Sequence, residues 1–222
     1  MKLPIPSYTL GVNTILVRGQ MRKPSAALIL TISLFMAVPV IAGQFEDALK
    51  ACDRGDHKTE YLLIKPLADQ GDATAQYHLG VMYDDGHGVP QDYNKAMRWY
   101  GKAADKGNAE AQCNLGSMYV KGHGVPQDYN KASMWYEMAA SKGNAKAQFN
   151  MGEFYASGKG VPQDYVLAYM WFTLAASHYP AAEIADRNDV AIKINEIALK
   201  MVPEEIAEAQ RMAREWKPKK ER

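Results

Sequence analysis

Cysteine is nearly absent: the 222-residue chain holds two, Cys52 and Cys113, and no C-x-x-C pair. A disulfide framework is therefore not its source of stability. With no histidine at ligand spacing from either thiol, a zinc or redox role finds no support either. Both cysteines are expected to be buried small hydrophobes, too far apart along stacked helices to bridge. An excess of one charge is also missing. The formal net charge is +1, and residues 1–42 carry Lys2, Arg18, Arg22 and Lys23 with no acid, so the remainder is mildly acidic. Such a body offers no electrostatic footprint for nucleic acid. The short basic end from Lys217 to Arg222, interrupted by Pro218 and Glu221, reads as a solvated tail.

Long apolar runs are lacking too. The uncharged stretch from Ala26 to Val38 is shorter than the ~20 residues a spanning helix needs, and Pro39 follows it. Its layout is that of a targeting segment: Arg22 and Lys23 in front, then the apolar run, then Val40-Ile41-Ala42, which suits cleavage before Gly43. The expectation is a signal peptide over 1–42 and a periplasmic or secreted body with no stable membrane anchor. Retention as an uncleaved anchor is the alternative. Met21 immediately precedes the charged pair, so the natural start could lie there, with the first 20 residues upstream of it.

What is present is a repeat. Written in rows of 36, Gly71 to Lys106, Gly107 to Lys142 and Gly143 to His178 align without a gap, and nearly half the columns are identical in all three. A fixed period of this length is the signature of a solenoid. Each row opens with an amphipathic stretch, Ala75 to Tyr83 in the first, whose Ala75, Leu79, Met82 and Tyr83 share one helical face. A second stretch, Tyr93 to Lys106, places Ala96, Trp99, Tyr100, Ala103 and Ala104 the same way. Between them, Gly86-His87-Gly88-Val89-Pro90-Gln91-Asp92 supplies glycines where a helix ends, a proline that prevents continuation, and an aspartate to cap the next helix. Gly80, Gly116 and Gly152 fall inside the first helix, where glycine costs about 1 kcal/mol relative to alanine. Close approach of a neighbouring helix is implied, with Trp99, Trp135 and Trp171 the expected partners.

The pattern A-x-A-Q-x-x-L-G-x-x-Y, then G-x-G-V-P-x-D, then A-x-x-W-Y-x-x-A-A stands at Ala109 to Tyr119, Gly122 to Asp128 and Ala132 to Ala140. It resembles the Sel1-like repeat family, a relative of the tetratricopeptide repeats. The resemblance implies an all-α fold, a right-handed superhelical solenoid of α/α hairpins that holds proteins or peptides, and in exported members an envelope role. The expected division is a capping helical pair over 43–70, repeats over 71–106, 107–142 and 143–178, and a degenerate repeat with a capping helix over 179–222. In the last segment Pro203 opens a helix whose Ile206, Ala209, Ala213 and Trp216 form a sealing stripe.

No catalytic residue, metal ligand or cofactor emerges. Cysteine-rich exported relatives have been described as penicillin-binding or weak β-lactamase proteins, but they carry a disulfide in each repeat, which this chain does not. A lysine three residues after a serine, as that chemistry needs, follows none of Ser133, Ser141 or Ser157. His87 and His123 recur with the loop and give way to Lys159 in the third copy, so they read as ordinary loop residues. The methionines and the Trp-Tyr pairs coincide with apolar faces and read as core.

One face varies. Thr74, His78, Val81 and Asp85 in the first repeat correspond to Glu110, Asn114, Ser117 and Lys121 in the second and to Lys146, Asn150, Glu153 and Ser157 in the third, along one side of the first helix. A plain solvated face would vary as well. The resemblance, in which this helix lines the concave groove, makes the stripe the expected site for an extended protein segment, with the Asn114 and Asn150 amides pairing to its backbone. A protein or peptide partner is thus expected. An enzyme of the β-lactamase or penicillin-binding kind and a purely structural spacer are the competing readings.

Overall fold

The computed structural model describes residues 43–180, 182 and 184–219, with side chains left aside at 184–186. The expected leader over 1–42, its expected cleavage site and the end of the basic tail lie outside the described residues. Those residues form helices and connecting turns and include no strand. We number the helices α1 (residues 43–53), α2 (His57–Asp69), α3 (Ala73–Asp85), α4 (Tyr93–Ala104), α5 (Ala109–Lys121), α6 (Tyr129–Ala140), α7 (Ala145–Ser157), α8 (Tyr165–His178), α9 (Ile184–Ala198) and α10 (Pro203–Glu215). From α2 to α9 each helix packs on its chain neighbour, closely within the pairs α3–α4, α5–α6 and α7–α8 and more loosely between them, while α10 folds back onto α8. The result is an α/α solenoid.

Each boundary has a local cause. Asp72, Asn108 and Asn144 cap α3, α5 and α7 by accepting from the amides of Ala75, Ala111 and Ala147. Asp92, Asp128 and Asp164 do the same for α4, α6 and α8. The first helix of every repeat ends at a left-handed glycine, such as Gly86 with φ 77°. Glu205 closes the start of α10 by accepting from the Val202 amide at 3.0 Å. Pro66 lies inside α2 on its exposed side rather than ending it.

The core runs along the stack in two clusters that meet at α5. Ala75, Leu79 and Met82 of α3 are buried, as are Ala96, Tyr100 and Ala103 of α4, and the pattern repeats along the chain. On α5, Leu115 and Met118 belong to the N-terminal half of this core while Cys113 belongs to the C-terminal half, so one helix serves both. At the far end Ala209 is fully buried, and Ile206, Ala213 and Trp216 pack against the same core. This matches the sealing stripe expected there.

Two expectations are corrected. The helix-interior glycines meet the residue after each tryptophan: a Cβ on Gly80, Gly116 or Gly152 would stand about 2.5 to 2.6 Å from the ring of Tyr100, Tyr136 or Phe172. The reason is register. Ala96, Tyr100 and Ala103 follow i, i+4, i+7 straight into the facing helix, whereas Trp99 sits to one side, half-buried, with the Lys102 ammonium 4.0 Å from its ring centroid. Cys113 is buried as expected, its thiol pushed up to about 12 by desolvation. Cys52 is exposed, because it lies in the last turn of α1 beside the Gly55 turn.

The tail also departs from a purely solvated end. Trp216 stacks edge-on against His178 at 5.4 Å, and the chain then passes α6, where the Lys219 amide donates to the Ser141 carbonyl at 2.8 Å. That carbonyl lies just past the end of α6, where the helix itself supplies no donor.

Candidate binding surface

The stripe is built by α3, α5 and α7, the first helices of the three repeats. Its ends are open to solvent: Thr74, Asp85, Glu110, Lys121, Lys146 and Ser157 are exposed. Its middle is half-buried and partly committed to internal contacts. His78 packs edge-on against Phe45 at 5.4 Å and Tyr77 at 5.3 Å, and burial pulls its imidazole below the ordinary value. Val81 packs against the core. Asn114 and Ser117 are half-buried, and the Tyr100 hydroxyl of the first repeat donates to Asp84 at 3.3 Å. Glu153 pairs with Lys193 of α9 at 3.4 Å, and Ser157 donates to the Glu153 carbonyl. Asn150 is half-buried.

The expected column of two amides, Asn114 and Asn150, is half-buried at both positions. The buried Tyr100 hydroxyl finds its partner within its own repeat, at the Asp84 carboxylate near the end of α3. The same desolvation raises the Tyr100 and Tyr136 phenols well above their ordinary range.

A cavity of about 560 Å³ opens at one end of the stripe, where Glu110 and Lys146 meet Gly143, Asn144, His178 and Tyr179. Sequence reasoning did not single it out. The signal was the change at the close of the third row, where Ser177-His178-Tyr179-Pro180 replaces Ser141-Lys142-Gly143-Asn144. Lys106 and Lys142 each reach back to a turn carbonyl one repeat earlier, at Gly71 and Gly107. His178 instead donates from Nδ1 to the buried Gln148 side-chain oxygen at 2.8 Å.

The serines weighed for nucleophilic chemistry are committed to backbone. Ser133 donates to the Asn130 carbonyl at 2.8 Å, Ser141 to Met138 at 2.8 Å and Ser157 to Glu153 at 2.7 Å. None has a base beside it in these contacts. The loop histidines, read from the sequence as ordinary loop residues, have a packing role. His87 stacks on His57 with centroids 4.6 Å apart, and His123 stacks on Tyr93 at 4.1 Å. The spacing argument about Cys52 is also overturned: its sulfur, a His57 nitrogen and a Glu60 oxygen lie within 4.8 Å of one another.

The Sel1 repeat family model matches residues 73–108, 109–144 and 145–179, the same units with their start two residues later than the rows above. A solved Sel1 repeat protein from Oxalobacter formigenes is 38% identical with a TM-score of 0.51, the match covering 59% of this chain and 98% of that one. The chain belongs to the Sel1 repeat family. A second solved relative, a protective antigen present in uropathogenic Escherichia coli strains displaying an SLR fold, is 32% identical with a TM-score of 0.69 over 79% of this chain. The present chain spans only 37% of that relative's length. No curated protein matches. Sel1 repeat proteins are in general protein-interaction scaffolds. Among the described residues no helix is long and apolar enough to cross a membrane.

Proposed function

We propose that this Sel1 repeat protein is a non-catalytic scaffold of the cell envelope that binds a segment of another protein along the α3–α5–α7 stripe. The observation that carries the reading is a contrast within each repeat. The buried Ala-Gln-x-x-x-Gly framework behind the stripe is the same in all three copies, while the exposed position in front of it reads Thr74, Glu110 and Lys146. Packing accounts for the sameness, and the difference is left for recognition. The mixed signs favour a specific segment over a polyanion, and the cavity between Glu110, Lys146 and His178 provides an anchoring point at one end. The targeting pattern over 1–42 supports an envelope location, as does a relative described as a protective antigen. The serine contacts leave the enzyme reading without a specific observation in its favour.

A photo-crosslinking residue placed at Glu110 or Lys146 tests the site. Adducts to one discrete envelope or extracellular protein are expected from these positions and not from Met134, which is exposed on α6. Equal adducts from all three, or from Met134 alone, would move the site off the stripe.

A further inference from the structure

The first helical pair departs from the repeats in a chemically pointed way. Asp56 caps α2 as Asp92, Asp128 and Asp164 cap their helices, which fixes the correspondence of columns. One residue after the cap the repeats carry Tyr93, Tyr129 and Tyr165, and α2 carries His57. Four residues after it they carry Ala96, Ala132 and Ala168, each fully buried, and α2 carries Glu60. Glu60 remains buried, at 5% exposure, although its neighbours in the column are the smallest core residues of the fold. A carboxylate is costly in such a place unless a positive charge or donor set meets it.

What meets it is a donor set. Glu60 Oε2 lies 2.9 Å from His57 Nδ1, and the Cys52 sulfur at the end of α1 completes a group whose ligand atoms all fall within 4.8 Å. Among the described residues this is the one such group of three that includes a thiol. His57 is held from the other side by the stacked ring of His87, and Gly88 comes so close to the His57 carbonyl that a Cβ there would clash. The imidazole is thus fixed while Cys52, being exposed, is free to turn.

We propose that Cys52, His57 and Glu60 form a divalent-metal site, selective for zinc, that ties α1 to α2 and closes the N-terminal end of the solenoid. One sulfur, one imidazole nitrogen and one carboxylate oxygen are a zinc ligand set, and three protein donors leave a fourth position to solvent. With metal–ligand bonds of ~2.0 to 2.3 Å, tetrahedral donors stand roughly 3.3 to 3.7 Å apart. The cluster reaches this by a turn of the Cys52 side chain and a slight opening of the His57–Glu60 contact, where the metal takes the place of the shared proton. A hard cation such as magnesium would prefer an all-oxygen shell, so the thiol argues against it. This assignment is independent of where a protein partner binds.

Titration of tag-free, reduced protein with zinc alone, and substitution with cobalt, tests it. One zinc per chain is expected, with a melting temperature that rises with free zinc and a cobalt–thiolate charge-transfer band in the near ultraviolet. Cys52→Ser, His57→Tyr and Glu60→Ala should each weaken zinc by at least ~100-fold, beyond the effect of an outer-shell partner. The last two place the residue that the other repeats use in the same column, so they are expected to fold without metal. Absence of stoichiometric binding, a cobalt spectrum without the thiolate band, or undiminished affinity in the three variants would each overturn the site.

Discussion

Replacing Gly116 by alanine sets two known effects against each other. In an open helix position the change gains about 0.8 to 1.0 kcal/mol from propensity. At Gly116 the new Cβ would stand 2.6 Å from both Cδ1 and Cε1 of Tyr136 and 3.0 Å from Cγ. Carbon atoms pack comfortably at ~3.5 to 4.0 Å, so ring and helix must separate by about 1 Å. Tyr136 cannot swing aside, since it is 3% exposed and the Phe154 ring packs edge-on against it at 5.5 Å. Overpacking of this kind costs about 1 to 3 kcal/mol, which exceeds or cancels the propensity gain. Gly101 provides the control, because it lies within α4 with nothing within 4 Å of its would-be Cβ. Gly101→Ala should therefore raise the melting temperature, at about 2 to 4 °C per kcal/mol for a chain of this size, and Gly116→Ala should not. A double-mutant cycle with Tyr136→Leu should show coupling, while one with Trp135→Leu should show little. Equal stabilisation by the two alanines would refute the argument that the glycine exists for the tyrosine.

The buried glutamines offer a second pair. Gln112 donates to the Ala104 carbonyl at 3.1 Å but its own side-chain oxygen is buried without a partner, whereas Gln148 both donates to Ala140 and accepts from His178. Gln112→Met should be near neutral in denaturant titration and Gln148→Met should cost about 1 to 2 kcal/mol; the reverse order would show that the unpaired oxygen carries no penalty. A third prediction concerns pH. Burial holds the folded-state value of His78 below its ordinary one, outweighing the pull of Glu60 and Asp72 in the other direction, so the unfolded chain binds the proton first as pH falls below about 6.5. Stability is lost through that window, and His78→Asn, which places the residue of the other two repeats, should lose less melting temperature between about pH 7.5 and pH 5.5; parallel slopes would exclude His78 as the source.

Most of the architecture was legible because the repeat multiplies weak local signals. A glycine, a proline and an aspartate at fixed offsets end one helix and cap the next, and three copies leave little room for another reading. The partner of the interior glycines was not legible at the same level. Trp99 and Tyr100 are adjacent and both aromatic, and a turn of some tens of degrees about the α4 axis decides which one faces α3. Composition favours the larger ring; the small residues at Ala96 and Ala103 that share a line with Tyr100 favour the other. The stripe was legible as a set of columns but not as a set of free side chains. Glu153 pairs with Lys193 of α9 and His78 packs on Phe45 of α1, contacts with residues that lie outside the aligned rows. The cluster at Cys52, His57 and Glu60 was missed because α1 and α2 are joined by a turn shorter than the loops of the repeats, which brings the thiol back over the next helix.

The loops deserve a physical equivalence rather than a letter-by-letter one. His87 lies on His57, His123 on Tyr93, the Lys159 ammonium 5.7 Å over Tyr129 and the Lys200 ammonium 5.2 Å over Tyr165. Read as letters, the column runs His, His, Lys and dissolves. Read as chemistry, each unit sets a flat ring or a cation on the aromatic face offered by the unit before it, and either group is attracted there. Beside each loop contact, Gly88, Gly124 and Gly160 bring backbone against the carbonyls of His57, Tyr93 and Tyr129, leaving no room for a side chain. These contacts fix the phase of one repeat against the next at the loop end of the helices. The exposed ends of the stripe at Thr74, Glu110 and Lys146 lie at the opposite end, on the first turn of α3, α5 and α7. Substitutions there leave the seam untouched, so the surface can be altered residue by residue while the spacing between its helices stays constant.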